Sequence, residues 1–131
     1  MAMTGAAATA LAPIRRVGIV DDDPAVRDSL QFLLDVAGYP AESFDSAGDF
    51  LARRAGASLA GLILDHHMPV VTGLELVARL REDGDTLPIL LITGSPSPAI
   101  AARAAALGVV RVLEKPPAEE ELLGFVAAVL G

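Results

Sequence analysis

Stretches of mainly apolar residues recur along the chain, and several of them end abruptly at a polar or charged residue. The run Leu62-Ile63-Leu64 leads directly into Asp65, and Met68-Pro69 then forces the backbone into a loop. Unbroken apolar runs of this length are typical of strands that are buried on both faces of a parallel sheet. Such strands are predicted over 15–20, 61–65, 89–93 and 109–113, and at or just beyond their ends stand Asp21, Asp65, Thr93 and Lys115.

Between these runs, apolar residues recur at the three- and four-residue spacing of amphipathic helices. The first predicted helix has Asp22 or Asp23 as its cap, Pro24 in its first turn and Gly38 at its end. Further helices are predicted after Ser46, over 74–81, over 97–107 and from 117 to 130, and a short edge strand is predicted over 40–44. Five strands alternating with five helices imply an α/β fold whose parallel sheet is covered on both faces.

Composition narrows the class of protein further. A chain of 131 residues predicts one domain with a core that needs no metal or disulfide, and the absence of cysteine excludes thiol chemistry. The net charge of −7 opposes non-specific binding to nucleic acid or to an anionic membrane. The longest uncharged run, 86–102, contains three prolines, so no transmembrane helix is predicted. We expect a disordered lead-in over 1–13, a folded domain over 14–131 and a cytoplasmic location.

The polar residues at the strand ends predict a site for phosphoryl chemistry. The carboxylates of Asp21, Asp22 and Asp65 would repel one another at one sheet edge unless a cation offset their charge. Mg²⁺ is the natural cation, because it binds hard oxygen ligands. With that charge and the ammonium of Lys115 nearby, Asp65 could attack a phosphorus atom while the Thr93 hydroxyl donates to a phosphoryl oxygen.

Together these residues resemble the receiver domain of two-component response regulators, over about 15–130. The motifs that carry the resemblance are Ile19-Val20-Asp21-Asp22-Asp23, Leu64-Asp65 with Met68-Pro69 and Gly73, Ile92-Thr93-Gly94, and Lys115-Pro116. The resemblance implies a flavodoxin-like doubly wound sheet with strand order 2-1-3-4-5. It also implies that Asp65 is the phosphoacceptor, Thr93 the switch hydroxyl and Lys115 the phosphate-pairing lysine. Asp21, Asp22, Asp65 and the backbone carbonyl of His67 would hold Mg²⁺, and the bond between Lys115 and Pro116 would be cis.

Three positions depart from the pattern of that family. Val112 stands where these domains usually carry a switch aromatic residue, so the usual aromatic readout is not expected. His67 is an uncommon residue type at its position, which lies beside the path of the hydrolytic water, and it predicts an altered phosphoryl lifetime of either sign. Pro117 replaces a common phenylalanine. His66-His67 also suggests a zinc pair, but adjacent side chains converge poorly on one ion.

The predicted function is a stand-alone receiver that accepts a phosphoryl group on Asp65 from a histidine kinase or phosphotransfer protein. It would then act on an unknown downstream protein or serve as a phosphate sink, without nucleic acid or membrane, as a monomer or weak homodimer. No enzymatic activity is expected beyond Mg²⁺-dependent self-phosphorylation and dephosphorylation. Two alternatives stay open: a pseudo-receiver that binds partners without phosphorylation, and a phosphatase of the haloacid-dehalogenase type with Asp21 as its nucleophile.

Overall fold

The strands form one five-stranded sheet in a computed structural model that describes residues 14–131. The predicted lead-in over 1–13 lies outside the described residues. All neighbouring strands are parallel, and their order is β2-β1-β3-β4-β5. This confirms the predicted doubly wound topology. The strands are β1 (Arg16–Val20), β2 (Ala41–Phe44), β3 (Leu59–Asp65), β4 (Ile89–Thr93) and β5 (Arg111–Glu114).

Five α-helices cover the two faces of the sheet. They are α1 (Pro24–Ala37), α2 (Ala47–Arg53), α3 (Gly73–Glu82), α4 (Pro98–Ala106) and α5 (Glu119–Leu130), with a 3₁₀ turn over Arg54–Gly56. Alternate residues of each strand point to opposite faces, so Val17 and Ile19 pack with α1 and α5 whereas Val20 packs with α2, α3 and α4. The core therefore consists of two apolar layers, and β3, at the centre of the sheet, is buried along almost its entire length.

Local capping sets where the first helix begins and ends. Asp23 is the N-cap of α1, and its side chain accepts a hydrogen bond from the backbone N–H of Ala25 at 2.9 Å. Asp22, the other candidate cap, remains exposed beside the sheet edge. Gly38 adopts φ 85°, the left-handed conformation that ends a helix. With Asp23 engaged in capping, Asp21 and Asp22 are left to face the carboxyl edge of the sheet.

Most predicted boundaries lie within one residue of the structure, but the starts of β3, β5 and α5 each differ by two, and β3 begins at Leu59 rather than at residue 61. β5 begins at Arg111 rather than at residue 109, because the N–H of Val109 still bonds to the carbonyl of Ala104 and belongs to the end of α4. α5 begins at Glu119 rather than at residue 117, with Ala118 as its N-cap. The peptide bond between Lys115 and Pro116 is cis, as the resemblance implied. Within 14–131, no helix combines the length and apolar character needed to cross a membrane.

Candidate functional site

Four strands that are neighbours in the sheet deliver polar side chains to the same edge. Asp21 follows β1, Asp65 ends β3, Thr93 ends β4 and Lys115 follows β5. Because the strands are parallel, their carboxyl ends meet where ligands bind in open α/β sheets. The structure thus brings these four predicted site residues together. Strand register contributes to this, because Asp65 pairs with the residue before Thr93, and Thr93 pairs with the residue before Lys115.

Ion pairs between the half-buried Lys115 and two buried carboxylates lie at the centre of this edge. The Lys115 Nζ atom is 2.9 Å from Asp65 Oδ1 and 3.5 Å from Asp21 Oδ2. Asp65 and Asp21 are only 3% and 2% exposed, so these charges are shielded poorly by water. Burial by itself would lower the pKa of Lys115, but its hydrogen bond to Asp65 and the charges of Asp21 and Asp65 together raise that pKa above its usual value. The ammonium therefore stays charged at neutral pH.

The three carboxylates form a cluster that fits a hard divalent cation. Asp21, Asp22 and Asp65 each offer one oxygen, and these oxygens lie within 4.8 Å of one another. Oxygen donors with net negative charge suit Mg²⁺, which usually takes one or two protein carboxylates and keeps several waters. His67, the fourth residue assigned to the metal by resemblance, lies in the β3–α3 loop, and its backbone N–H donates to Asp65 Oδ1 at 3.3 Å. The donor set thus fits the predicted ion.

Burial disfavours the ionised form of Asp21. Burial raises the pKa of Asp21, and the charge of Asp65 adds to that effect, although a hydrogen bond from the backbone N–H of Asp23 and the Lys115 ammonium oppose it. Because its folded-state pKa lies above the unfolded value, stability falls as the pH rises from about 3.9 through the folded pKa. At neutral pH, without Mg²⁺, the charged Asp21 therefore destabilises the fold.

Asp21→Asn is accordingly expected to raise the free energy of unfolding at pH 7 in the absence of Mg²⁺. The gain should vanish at about pH 3, where Asp21 is protonated in both states because its folded-state pKa is raised. Urea unfolding at the two pH values measures it. The control is Asp28→Asn, which removes the same charge from an exposed position on α1 and should change stability by less than about 0.5 kcal/mol. A loss of stability at pH 7 in Asp21→Asn would contradict this account of the site.

Thr93 makes a contact that sequence reasoning missed. Its hydroxyl is fully buried, accepts a hydrogen bond from the backbone N–H of Ser95 at 3.1 Å, and lies 2.7 Å from Nε2 of His67. The sequence placed His67 two residues after Asp65 but carried no signal for the direction of its ring. His67 thus contacts two site residues, Asp65 through its amide and Thr93 through its imidazole.

The two adjacent histidines do not form a metal pair. Their rings cross edge to face with centroids 5.0 Å apart, and His66 Nδ1 faces the backbone N–H of Leu74 at 3.4 Å. Burial lowers the pKa of His66, and the neighbouring His67 lowers it further. Among residues 14–131, the group of His, Cys, Asp and Glu side chains close enough to share an ion is the aspartate trio. The structure therefore gives no support to zinc binding here.

Val112 lies on β5 opposite Leu91 of β4 and is half-buried. Its side chain packs against the apolar layer beneath α2, α3 and α4. A branched aliphatic side chain in this position has no ring to move between two environments, and its χ1 angle is stiff. The expectation that this chain lacks an aromatic readout at residue 112 stays a prediction.

Residues 17–127 match the family model described as response regulator receiver domain. The transcriptional regulatory protein FixJ of Bradyrhizobium diazoefficiens is 38% identical over 112 residues, which cover 86% of this chain and 55% of FixJ. The response regulator protein TodT of Pseudomonas putida is 39% identical over 112 residues, which cover 86% of this chain and 49% of TodT. The chain thus spans about half the length of these curated relatives.

Solved structures give the same assignment. The chemotaxis protein CheY4 of Vibrio cholerae superposes with a TM-score of 0.80 and 32% sequence identity, over 89% of this chain and 99% of that protein. The family match extends from β1 into α5 and includes every strand end at the candidate site. The resemblance inferred from the sequence motifs is confirmed: the chain belongs to the response regulator receiver domain family.

Proposed function

We propose that this receiver domain accepts a phosphoryl group on Asp65 from a histidine kinase or a histidine phosphotransfer protein in the cytoplasm. The phosphorylated domain then either acts on a downstream protein or drains phosphoryl groups from its kinase. The observation that carries the proposal is the pairing of a buried strand-end carboxylate, Asp65, with Lys115, the only lysine of the sequence, at 2.9 Å. Membership of the receiver family supports the proposal.

In the proposed reaction, an oxygen of Asp65 forms a bond to phosphorus as the phosphorus–nitrogen bond of the donor's phosphohistidine breaks. The electron pair of that bond stays on the leaving imidazole. The Lys115 ammonium offsets the charge that gathers on the phosphoryl oxygens, and the Thr93 hydroxyl donates to one of them. Mg²⁺, when held by Asp21, Asp22 and Asp65, supplies further positive charge against the same oxygens. The product is an aspartyl phosphate.

The test is the intact mass of the protein during incubation with acetyl phosphate, a small-molecule phosphoryl donor. With Mg²⁺ present, we expect the mass to rise by one phosphoryl group and to return with time, and a chelator should prevent the gain. Borohydride reduction followed by peptide mass spectrometry then identifies the modified residue as Asp65. If the protein gains no mass under conditions that phosphorylate an established receiver, phosphorylation-independent partner binding replaces this proposal.

A cleft beside Lys115 fits the docking of the phosphodonor. It has a volume of about 590 Å³, and its apolar lining comes from α1, through Val26, Leu30 and Leu33, and from the segment around Pro117. Along α1, Phe32 and Val36 lie one turn apart and are 70% and 71% exposed. Since a donor must bring its phosphohistidine to Asp65, its surface must contact the rim of the site. We therefore also propose that the donor packs along the face of α1 that carries Phe32 and Val36.

Val36→Glu should accordingly lower the rate of phosphoryl transfer from a protein donor by about tenfold or more, because it places a charge in a desolvated interface. The donor is a purified, autophosphorylated histidine kinase chosen for its transfer to the wild type. Phosphorylation by acetyl phosphate should be unchanged. The matched control is Val110→Glu, since Val110 is also exposed (58%) but lies before β5 rather than on α1. Equal losses in the two variants would rule out α1 as the docking face.

A further inference from the structure

The hydroxyl of Thr93 already has partners in the unphosphorylated protein. Its oxygen accepts from the backbone N–H of Ser95 at 3.1 Å, and Nε2 of His67 lies 2.7 Å away. A threonine hydroxyl has one hydrogen to donate and two lone pairs to accept with. Because the N–H of Ser95 uses one lone pair, the hydrogen is free to point at the imidazole nitrogen. Thr93 is fully buried, so water does not compete for it.

The proposed phosphoryl transfer needs that same hydrogen. A phosphoryl oxygen on Asp65 is an acceptor, so Thr93 can stabilise it only by donating, and a hydroxyl donates to one acceptor at a time. His67 is also tied to Asp65, because its backbone N–H donates to Oδ1 at 3.3 Å. The imidazole itself is exposed, so water can replace Thr93 as its partner. Release of the ring therefore leaves no buried group unsatisfied.

We propose that His67 is a positioning residue that holds the Thr93 hydroxyl in the resting state, with Nε2 as the acceptor, and must release it when Asp65 carries a phosphoryl group. This inference rests on the proposed function, since it describes regulation of the same site. The His67–Thr93 hydrogen bond stabilises the resting state. It therefore opposes phosphorylation by about the net free energy of one hydrogen bond. The freed imidazole then changes the exposed surface of the β3–α3 loop only when the domain is phosphorylated.

The test compares the affinity of beryllofluoride, a non-covalent mimic of the phosphoryl group, in the wild type, the two single variants His67→Phe and Thr93→Val, and the double variant, at fixed pH and saturating Mg²⁺. His67→Phe keeps an aromatic ring beside the site but removes the nitrogen, and it should bind beryllofluoride about fivefold more tightly than wild type. In a Thr93→Val background, His67→Phe should change the affinity by less than twofold. Isothermal calorimetry measures all four constants. An unchanged affinity, or an equal gain in both backgrounds, would overturn the inference, because the effect would not pass through Thr93.

A second measurement does not depend on the Thr93→Val variant folding. In ¹⁵N-labelled wild type, Nε2 of His67 should resonate as an unprotonated nitrogen that accepts a hydrogen bond, and beryllofluoride with Mg²⁺ should shift it towards the value of an imidazole nitrogen exposed to water. A protonated Nε2 in the resting protein, or no shift on binding, overturns the inference. If the wild type binds beryllofluoride and gains a phosphoryl group, but neither the affinity change of His67→Phe nor the shift of Nε2 is seen, only the role of His67 fails. If it does neither, the proposed function fails as well.

Discussion

Asp65→Asn is expected to abolish phosphorylation of the chain by acetyl phosphate. Asparagine keeps the volume of the side chain, which is 3% exposed at the end of β3, but its amide lacks the anionic oxygen that would attack phosphorus. Lys115 would still lie beside the site, so the loss would report the nucleophile rather than the surrounding charge. The intact mass should stay constant over a period in which the wild type gains one phosphoryl group. Circular dichroism on the same samples verifies that the variant is folded.

The matched control is Asp45→Asn. Asp45 follows the edge strand β2 as Asp65 ends β3, but its side chain is exposed and lies outside the aspartate cluster. The variant Asp45→Asn loses the same charge as Asp65→Asn and should be phosphorylated like the wild type. Continued phosphorylation of Asp65→Asn would instead identify another nucleophile. Modification of Asp21 would then favour the phosphatase alternative. The resemblance of the pattern Asp21-x-Asp23 to the first motif of such phosphatases is superficial, however, because the Asp23 side chain caps α1.

The positions of the site residues could be predicted because they depend on few physical rules. Each apolar run is long enough to be a buried strand, and parallel strands bring their carboxyl ends to one edge. Because four strands are adjacent, the residues at their carboxyl ends lie side by side. These strands are β1, β3, β4 and β5, and the residues are Asp21, Asp65, Thr93 and Lys115. Their roles in phosphoryl transfer stay predictions, because the positions of the residues are compatible with the reaction but do not demonstrate it.

Features that depend on side-chain direction or on competing hydrogen bonds could not be predicted. The sequence placed Val109 in a strand because it opens a mainly apolar run, whereas in the structure its N–H bonds to the end of α4. Nothing in the sequence distinguishes a His67 ring that points to solvent from the observed one, whose Nε2 lies 2.7 Å from the Thr93 hydroxyl. The cleft beside α1 likewise needs the relative placement of α1 and the segment around Pro117, which lie far apart in the sequence.

Gly73→Ala is expected to be the most destabilising single-methyl change at the site. A Cβ atom at residue 73 would lie 2.7 Å from the backbone oxygen of Asp65 and 2.8 Å from Cα of His66. Both atoms belong to the backbone, and the N–H of Gly73 already donates to the carbonyl of His66 at 2.9 Å, so neither chain segment can move freely. Overpacking of this kind costs about 1–3 kcal/mol or more in the free energy of unfolding. Urea unfolding measures that loss.

Gly124→Ala is the matched control and should have the opposite sign. Residue 124 lies within α5, nothing approaches its Cβ position within 4 Å, and alanine in a helix interior gains about 0.5–1 kcal/mol over glycine. Gly73→Ala should also slow phosphorylation by acetyl phosphate, because the atoms that must shift belong to the end of β3 that carries Asp65. Gly124→Ala should leave that rate unchanged. If Gly73→Ala were as stable as Gly124→Ala, the start of α3 and the end of β3 would not be packed too closely to admit a Cβ atom at residue 73.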